Sequence, residues 1–129
     1  MAEINIRDLS IGDWVRYDFP EIGKRNIQVN SIDEEDNHIG AGGVGASAWS
    51  DVSEFEPIPL TPEILEKNGI SKTYESDEYA VYKGEGFNVT EYYTELWEFE
   101  RHRNRLMIRN VHQLQRALRL AGLENEIEV

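Results

Sequence analysis

Asn110–Gly122, read as NVHQLQRALRLAG, predicts an amphipathic helix with a signal at each end. Asn110 can accept hydrogen bonds from the first free amides as N-cap, and Gly122 can take the left-handed conformation that ends a helix. One stripe at helical spacing is apolar, and the stripe opposite it has the composition of a solvated face. The apolar stripe consists of Val111, Leu114, Ala117, Leu118 and Ala121, and the polar stripe of His112, Arg116 and Arg119. The segment therefore indicates packing on a core, and it carries no catalytic signature.

The residues before this helix read as a β-hairpin. Leu96–Arg101 and Arg105–Arg109 are strand candidates that would pair antiparallel, with one apolar and one charged face. The apolar face would hold Trp97, Phe99, Leu106 and Ile108, and across the ladder Glu98 and Glu100 would face Arg105 and Arg109. Two earlier strand candidates are Tyr79–Tyr82 and Phe87–Tyr93. We expect an antiparallel sheet covered by the C-terminal helix, after which Ile127 and Val129 either form a short strand or fray.

A shorter helix is predicted at Thr61–Asn68, where every boundary signal agrees. Its first residue is an N-cap candidate, and Pro62 suits the first helical position. Leu60 and Leu65 have the spacing of a hydrophobic staple. Beyond the following glycine, Ile70 can fold back on Leu65 as in a Schellman motif. We expect this helix to link two β-rich parts of the chain.

The first half of the chain reads as short strands separated by turns. Its opening, Leu9–Tyr17 (LSIGDWVRY), places Gly-Asp in a turn before an alternating strand, as small SH3-like barrels often do. The predicted strands are Asp13–Phe19, Ile27–Ile32, His38–Ala41, Ala46–Trp49 and Phe55–Ile58. We predict an α+β fold with an SH3-like small β-barrel or meander in residues 1–60. The linking helix, the antiparallel sheet and the C-terminal helix occupy residues 61–129, and the whole forms one compact domain or two small sub-domains.

Composition restricts the classes of protein to consider. A chain of 129 residues is long enough for a real core, and the absence of cysteine excludes disulfides, thiolate metal sites and a cysteine nucleophile. No apolar stretch approaches a membrane span, and the N-terminal residues lack the pattern of a signal peptide. We therefore expect a soluble, cytoplasmic protein.

The charge is strongly acidic and unevenly distributed. A net charge of -12 would repel a phosphate backbone, so nonspecific nucleic-acid binding is not expected. Residues 1–100 hold 7 Lys and Arg against 22 Asp and Glu, whereas residues 101–129 hold 6 against 3. The basic C-terminal part either pairs with the acidic remainder or forms a patch for an acidic partner. The residues of that possible interaction surface are Arg101, Arg103, His112, Arg116 and Arg119.

Patterns that suggest chemistry fail on their context. Gly40–Gly45 satisfies G-x-G-x-x-G, but no crossover helix can follow it, so we expect a flexible glycine-rich turn. Asp33–Asn37 resembles the start of a calcium loop, but His38 stands at the sixth position and Val44 at the twelfth. A solvated hairpin tip is expected there. Ser47 lacks the second glycine of a serine-hydrolase elbow.

The remaining candidates for chemistry are dispersed. His38, His102 and His112 lie far apart without a carboxylate at a metal-motif spacing. We therefore predict no metal, no cofactor and no catalytic residue, although a carboxylate pair for acid-base chemistry stays open among so many acids. Aromatic residues are dense after residue 70, which indicates strand and core packing or a protein-binding face. They are Tyr74, Tyr79, Tyr82, Tyr92, Tyr93 and Trp97.

Three segments together resemble a known family. They are Leu9–Val15 (LSIGDWV), Glu56–Ile70 (EPIPLTPEILEKNGI) and Val111–Gln115 (VHQLQ). In this order they are similar to the conserved segments of a family of small proteins from gut Bacteroides, their prophages and mobile elements. The resemblance spans most of the chain, but it implies no activity and no catalytic residues. The basic Arg101–Arg105 departs from the family pattern.

The leading hypothesis for function is a non-enzymatic accessory or protein-interaction module of a bacterial or phage genome, with another protein as its partner. One alternative is an acidic DNA mimic that occupies the basic groove of a DNA-binding protein. Another is a small ligand-binding or hydrolytic protein that brings carboxylates and histidines together in a cleft. A fourth is a nucleic-acid binder that acts only through its arginine cluster. The sequence leaves the oligomeric state open.

Overall fold

The structure, a computed structural model, describes residues 4–93, 96–124 and 126–129. It divides into two compact units, Met1–Ile58 and Pro59–Val129. Each unit contains one five-stranded sheet whose neighbouring strands run antiparallel, and the described residues also form two short α-helices. The α+β class predicted from the sequence is therefore confirmed.

The first unit is a meander whose last strand returns to its first. Its strands are β1 (Trp14–Phe19), β2 (Gly23–Asp33), β3 (His38–Gly43), β4 (Ala46–Asp51) and β5 (Phe55–Glu56), in the sheet order β4-β3-β2-β1-β5. A 3₁₀ turn, Val52–Glu54, precedes β5. The core comes from inward side chains at alternate positions, such as Val15 on β1 and Ile27 on β2. The apolar side chains of this core all belong to this unit.

The glycine-rich segment differs from the expected flexible turn. Gly40–Gly43 lies inside β3, and only Val44 and Gly45 form the turn to β4. A Cβ at Gly40 would collide with the side chain of Ser31 on the neighbouring strand. Side chains of the two neighbouring strands occupy the space beside Gly40, so glycine serves packing there rather than flexibility. Within Gly40–Gly45, only Gly45, with φ +74°, needs glycine for its backbone conformation.

The second unit begins with a helix and continues as a sheet. Its elements are α1 (Pro62–Lys67), β6 (Ser71–Glu75), β7 (Tyr79–Gly84), β8 (Phe87–Tyr92), β9 (Leu96–Arg101), β10 (Asn104–Ile108) and α2 (Val111–Leu120). The sheet order is β10-β9-β8-β7-β6. β6 was not predicted, because all five of its residues are exposed and the strand carries no alternating hydrophobic pattern.

The signals around α1 are confirmed by its hydrogen bonds. Thr61 Oγ1 accepts from the amide of Ile64 at 3.2 Å, and Ile70 N donates to Leu65 O at 2.9 Å. After α2 no strand forms in residues 126–129; instead the Asn68 side chain bonds both main-chain groups of Glu128. That amide therefore ties the C-terminal segment to the end of α1.

The predicted hairpin of β9 and β10 is present. Leu106 pairs with Phe99, Ile108 pairs with Trp97, and these residues share the expected apolar face. Arg105 lies opposite Glu100 as predicted. The expected second charge pair is wrong, because the register of the hairpin places Glu98 opposite Met107, and the strand ends at Ile108, before Arg109.

Candidate functional site

The helix α2 packs as its sequence predicts on the apolar stripe, and its ends have the predicted caps. Asn110 is the N-cap, and Gly122 has the left-handed φ of +71°. One interaction at the start of the helix was not predicted. Gln113 Oε1 accepts from the backbone amides of Arg109 at 2.6 Å and Asn110 at 3.2 Å, as in a capping box. A glutamine three residues after an N-cap asparagine is the signal that could have found it.

His112 does not lie on a solvated stripe. Its side chain is 2 % exposed, and Gln115 on the neighbouring flank of the helix is buried as well. The prediction that His112 lies on the solvated face is therefore wrong, because α2 buries more of its circumference than its apolar residues cover. At 100° of rotation per residue, His112 and Gln115 lie on the helix face next to Val111, and they are buried in the core together with it.

Arg101 lies at the end of β9 and contacts the end of α2. Its Nη1 donates to the main-chain oxygen of Ala121 at 2.7 Å. A cation at the C-terminus of a helix interacts favourably with the free carbonyls and the helix dipole. Arg101 therefore connects the hairpin to the helix.

The turn between β9 and β10 consists of His102 and Arg103. Both residues have positive φ, +49° and +70°, as a two-residue type I′ turn requires. Asn-Gly is the usual sequence for such a turn, because bulkier residues are strained in the left-handed region. Both side chains are exposed. The backbone thus places a histidine and an arginine at the tip of the hairpin at a conformational cost.

A groove of about 420 Å³ separates this hairpin from the second half of α2. Its lining combines exposed apolar side chains with a cationic end. Leu106 and Leu120 are 39 % and 69 % exposed. The residues that line it are Phe99, Arg101, His102, Asn104, Arg105, Leu106, Ala117, Leu120 and Ala121. We name this feature the hairpin–helix groove.

The predicted interaction residues are not all brought together. Arg101 lines the groove, and Arg103 lies in the turn next to it. Arg116 and Arg119 are half-buried on α2 and do not line the groove. On a helix, Arg119 is about 160° from Ala117, which does line it. Two residues with basic side chains that line the groove, His102 and Arg105, were omitted from the prediction.

Arg105 borders the groove, but its guanidinium is engaged elsewhere. Its Nε lies 3.1 Å from Glu100 and 3.9 Å from Glu98. These carboxylates stand on the sheet face away from Phe99, because side chains alternate along β9. Arg101 therefore supplies a positive charge at the groove, and His102 adds a polar ring beside it.

One wall of the groove is a sheet edge. β10 is the outer strand of its sheet, and four of its five residues are exposed. The main-chain groups on its outer side are not used by a strand ladder within the described part of the chain. Such an edge can pair with an added strand.

The residues considered for metal chemistry are not clustered. Among residues 4–93, 96–124 and 126–129, no group of three or more His, Asp or Glu side chains could hold a metal ion. His38 belongs to the first unit, where its ring contacts Trp49 and its Nδ1 lies 2.7 Å from Asp36 O. Across the same described residues, neither helix has the length and apolar run that a membrane crossing needs.

The chain matches no protein-family model, and comparison with curated proteins and with solved structures also gave no match.

Proposed function

We propose that the chain is a non-enzymatic protein-interaction module that binds an acidic, partly apolar segment of another protein in the hairpin–helix groove. One observation carries the proposal. In a chain with a net charge of -12, exposed apolar side chains and a cationic end lie together at one groove. Exposed leucines beside cations suit a ligand that offers both apolar side chains and carboxylates.

The sheet edge supports a specific mode of binding. A partner segment in extended conformation would add to the outer side of β10 through main-chain hydrogen bonds. Its alternate side chains would then point toward Leu106 and Leu120, as the period of a strand requires. A carboxylate on the partner would face Arg101 and His102 at the end of the groove. Main-chain bonds would supply affinity, and the groove would supply selectivity.

The test uses an eight-residue peptide that alternates Glu with Leu. The comparison peptides replace Glu with Lys, or Leu with Ser. We expect the Glu-Leu peptide alone to shift the amide NMR signals of β10 and of α2 near Leu120. Leu106→Asp and Leu120→Asp each remove apolar contact and introduce a like charge, so affinity should fall by about tenfold or more, equivalent to about 1.4 kcal/mol.

Met107→Asp is the matched control. Met107 is on the same strand as Leu106 and is 50 % exposed, but it points to the opposite face of the sheet. Its substitution should leave affinity unchanged. Equal binding of the Lys-Leu peptide, signal shifts away from the groove, or equal losses for Met107→Asp and Leu106→Asp would each reject the proposal.

We further propose that the first unit is a small barrel of the SH3-like kind. The return of β5 beside β1 after a 3₁₀ turn supports this assignment, together with the Gly-Asp turn that leads into β1. The bacterial or phage origin rests on the three resembling segments alone.

A further inference from the structure

A row of tyrosines crosses one face of the second sheet, the face opposite to the hairpin–helix groove. Tyr74, Tyr79 and Tyr92 stand on β6, β7 and β8, and Tyr79 lies directly opposite Tyr92. The ring centroids are 5.4 Å apart between Tyr74 and Tyr79, and 6.1 Å apart between Tyr79 and Tyr92. Tyr74 is 51 % exposed, and the other two are half-buried. We name these three residues the tyrosine row.

The tyrosine row and the hairpin–helix groove are on opposite faces of this sheet. Ala80 and Tyr82 are buried, so the alternating Tyr79 points to the other face. Tyr82 pairs with Val89, which pairs with Phe99, a residue of the groove. The row is therefore separate from the site of the proposed function.

The surroundings of the row are acidic. The turn between β6 and β7 contributes Asp77 and Glu78. Neighbouring Tyr74, then burial, raise the pKa of Tyr79, and Glu78 is among the further charges that raise it. Glu98 lies on the same face of the sheet, one cross-strand row beyond the row that contains Tyr79 and Tyr92. On this face Lys83 and Arg105 are two rows from Tyr79 and Tyr92, and Lys83 is one row from Tyr74. Arg105 contacts Glu98 and Glu100. Among these charged residues, carboxylates outnumber cations around the rings.

We propose that the tyrosine row binds an arginine-rich segment of a partner protein. A guanidinium stacks on tyrosine rings within about 6 Å of their centroids, and nearby carboxylates accept its hydrogen bonds. A related contact exists within the molecule, since Lys72 Nζ lies 5.9 Å from the ring centroid of Tyr82. Three neighbouring rings can accommodate successive arginines of an extended chain, and the acidic turn attracts its charge.

The test titrates the full chain with an eight-residue peptide that alternates Arg with Gly. Comparison probes are the Lys-Gly, Glu-Gly and Pro-Gly peptides and an oligothymidine. We expect the Arg-Gly peptide to bind best and to shift the amide signals of Tyr74, Tyr79 and Tyr92. Tyr74→Leu keeps apolar area but removes the ring, so affinity should fall about two- to fivefold.

Two further variants keep the outcome interpretable. Glu78→Gln lies in a turn, leaves all rings in place and should weaken binding and its dependence on salt. Trp49→Leu is the matched control, because Trp49 is an exposed aromatic residue of the first unit, and its substitution should change nothing. Equal binding of the Pro-Gly or Glu-Gly peptide, preferential binding of oligothymidine, or unchanged affinity in Tyr74→Leu would overturn the proposal. Leu120→Asp should not affect this titration. Failure of the proposal for the tyrosine row can therefore be distinguished from failure of the proposal for the groove.

Discussion

His102 and Arg103 illustrate how single residues depart from what stability alone would select. Both hold left-handed backbone conformations at a turn that favours Asn-Gly. The double variant His102→Asn, Arg103→Gly should therefore raise the free energy of unfolding by about 1 kcal/mol. Urea denaturation at neutral pH measures it. Gly45→Ala, at φ +74° in another two-residue turn, should act in the opposite direction. A destabilised double variant would contradict the assigned strain.

Tyr82 makes the fold lose stability at alkaline pH. Burial, followed by the charge of Glu91, raises the pKa of this tyrosine to about 12. The folded state therefore holds the phenol proton more tightly than the unfolded chain, whose tyrosines titrate near 10. The contribution is complete below about pH 10 and is lost as pH rises through 12. Unfolding followed by circular dichroism between pH 9 and 12 should show this loss, and Tyr82→Phe should reduce it.

At the scale of elements, the start of α2 depends on a side chain rather than on its apolar stripe. Gln113 Oε1 accepts from two backbone amides that precede the helix. Gln113→Ala should lower the free energy of unfolding by about 1 kcal/mol, because both donors lose this partner. Thermal or urea denaturation measures the change. Leu120→Ala, at an exposed position of the same helix, should stay within about 0.5 kcal/mol. Equal changes in the free energy of unfolding for the two variants would show that the hydrogen bonds of Gln113 do not stabilise the helix.

The elements that the sequence predicted well are those with local signals. The staple, N-cap and terminal glycine of α1 lie within a few residues of one another, so each boundary could be placed. β6 has no such signal, since its five residues are exposed and only pairing with β7 makes it a strand. The predicted strand stopped at Ala41, whereas β3 continues through Gly43, because the side chains that pack beside these glycines come from neighbouring strands and leave no trace in this strand's sequence. Arg101 was predicted as an interaction residue. Its hydrogen bond to Ala121 could not be predicted, because the two residues are 20 positions apart in the sequence.

For the whole molecule, the division into two units has a measurable consequence. The core of the first unit is formed within residues 4–55, and the second unit pairs its own five strands. We expect fragments 1–58 and 59–129 each to fold, with the dispersed amide NMR signals of a folded protein. The shorter fragment should be less stable, because a chain of about 60 residues buries a smaller share of its surface. Random-coil spectra for both fragments would contradict this expectation.

The sequence by itself determined the class of fold, both helices with their caps, and the apolar register of the β9–β10 hairpin. These depend on short-range periodicity and on backbone preferences of residues such as Pro62 and Gly122. Only the tertiary structure decided that His112 is buried, that Arg101 meets the end of α2, and that Leu106 and Leu120 face one groove. It also placed Tyr74, Tyr79 and Tyr92 in one row. The physical reason is that burial and proximity depend on which strands pair, and residues distant in sequence set that pairing.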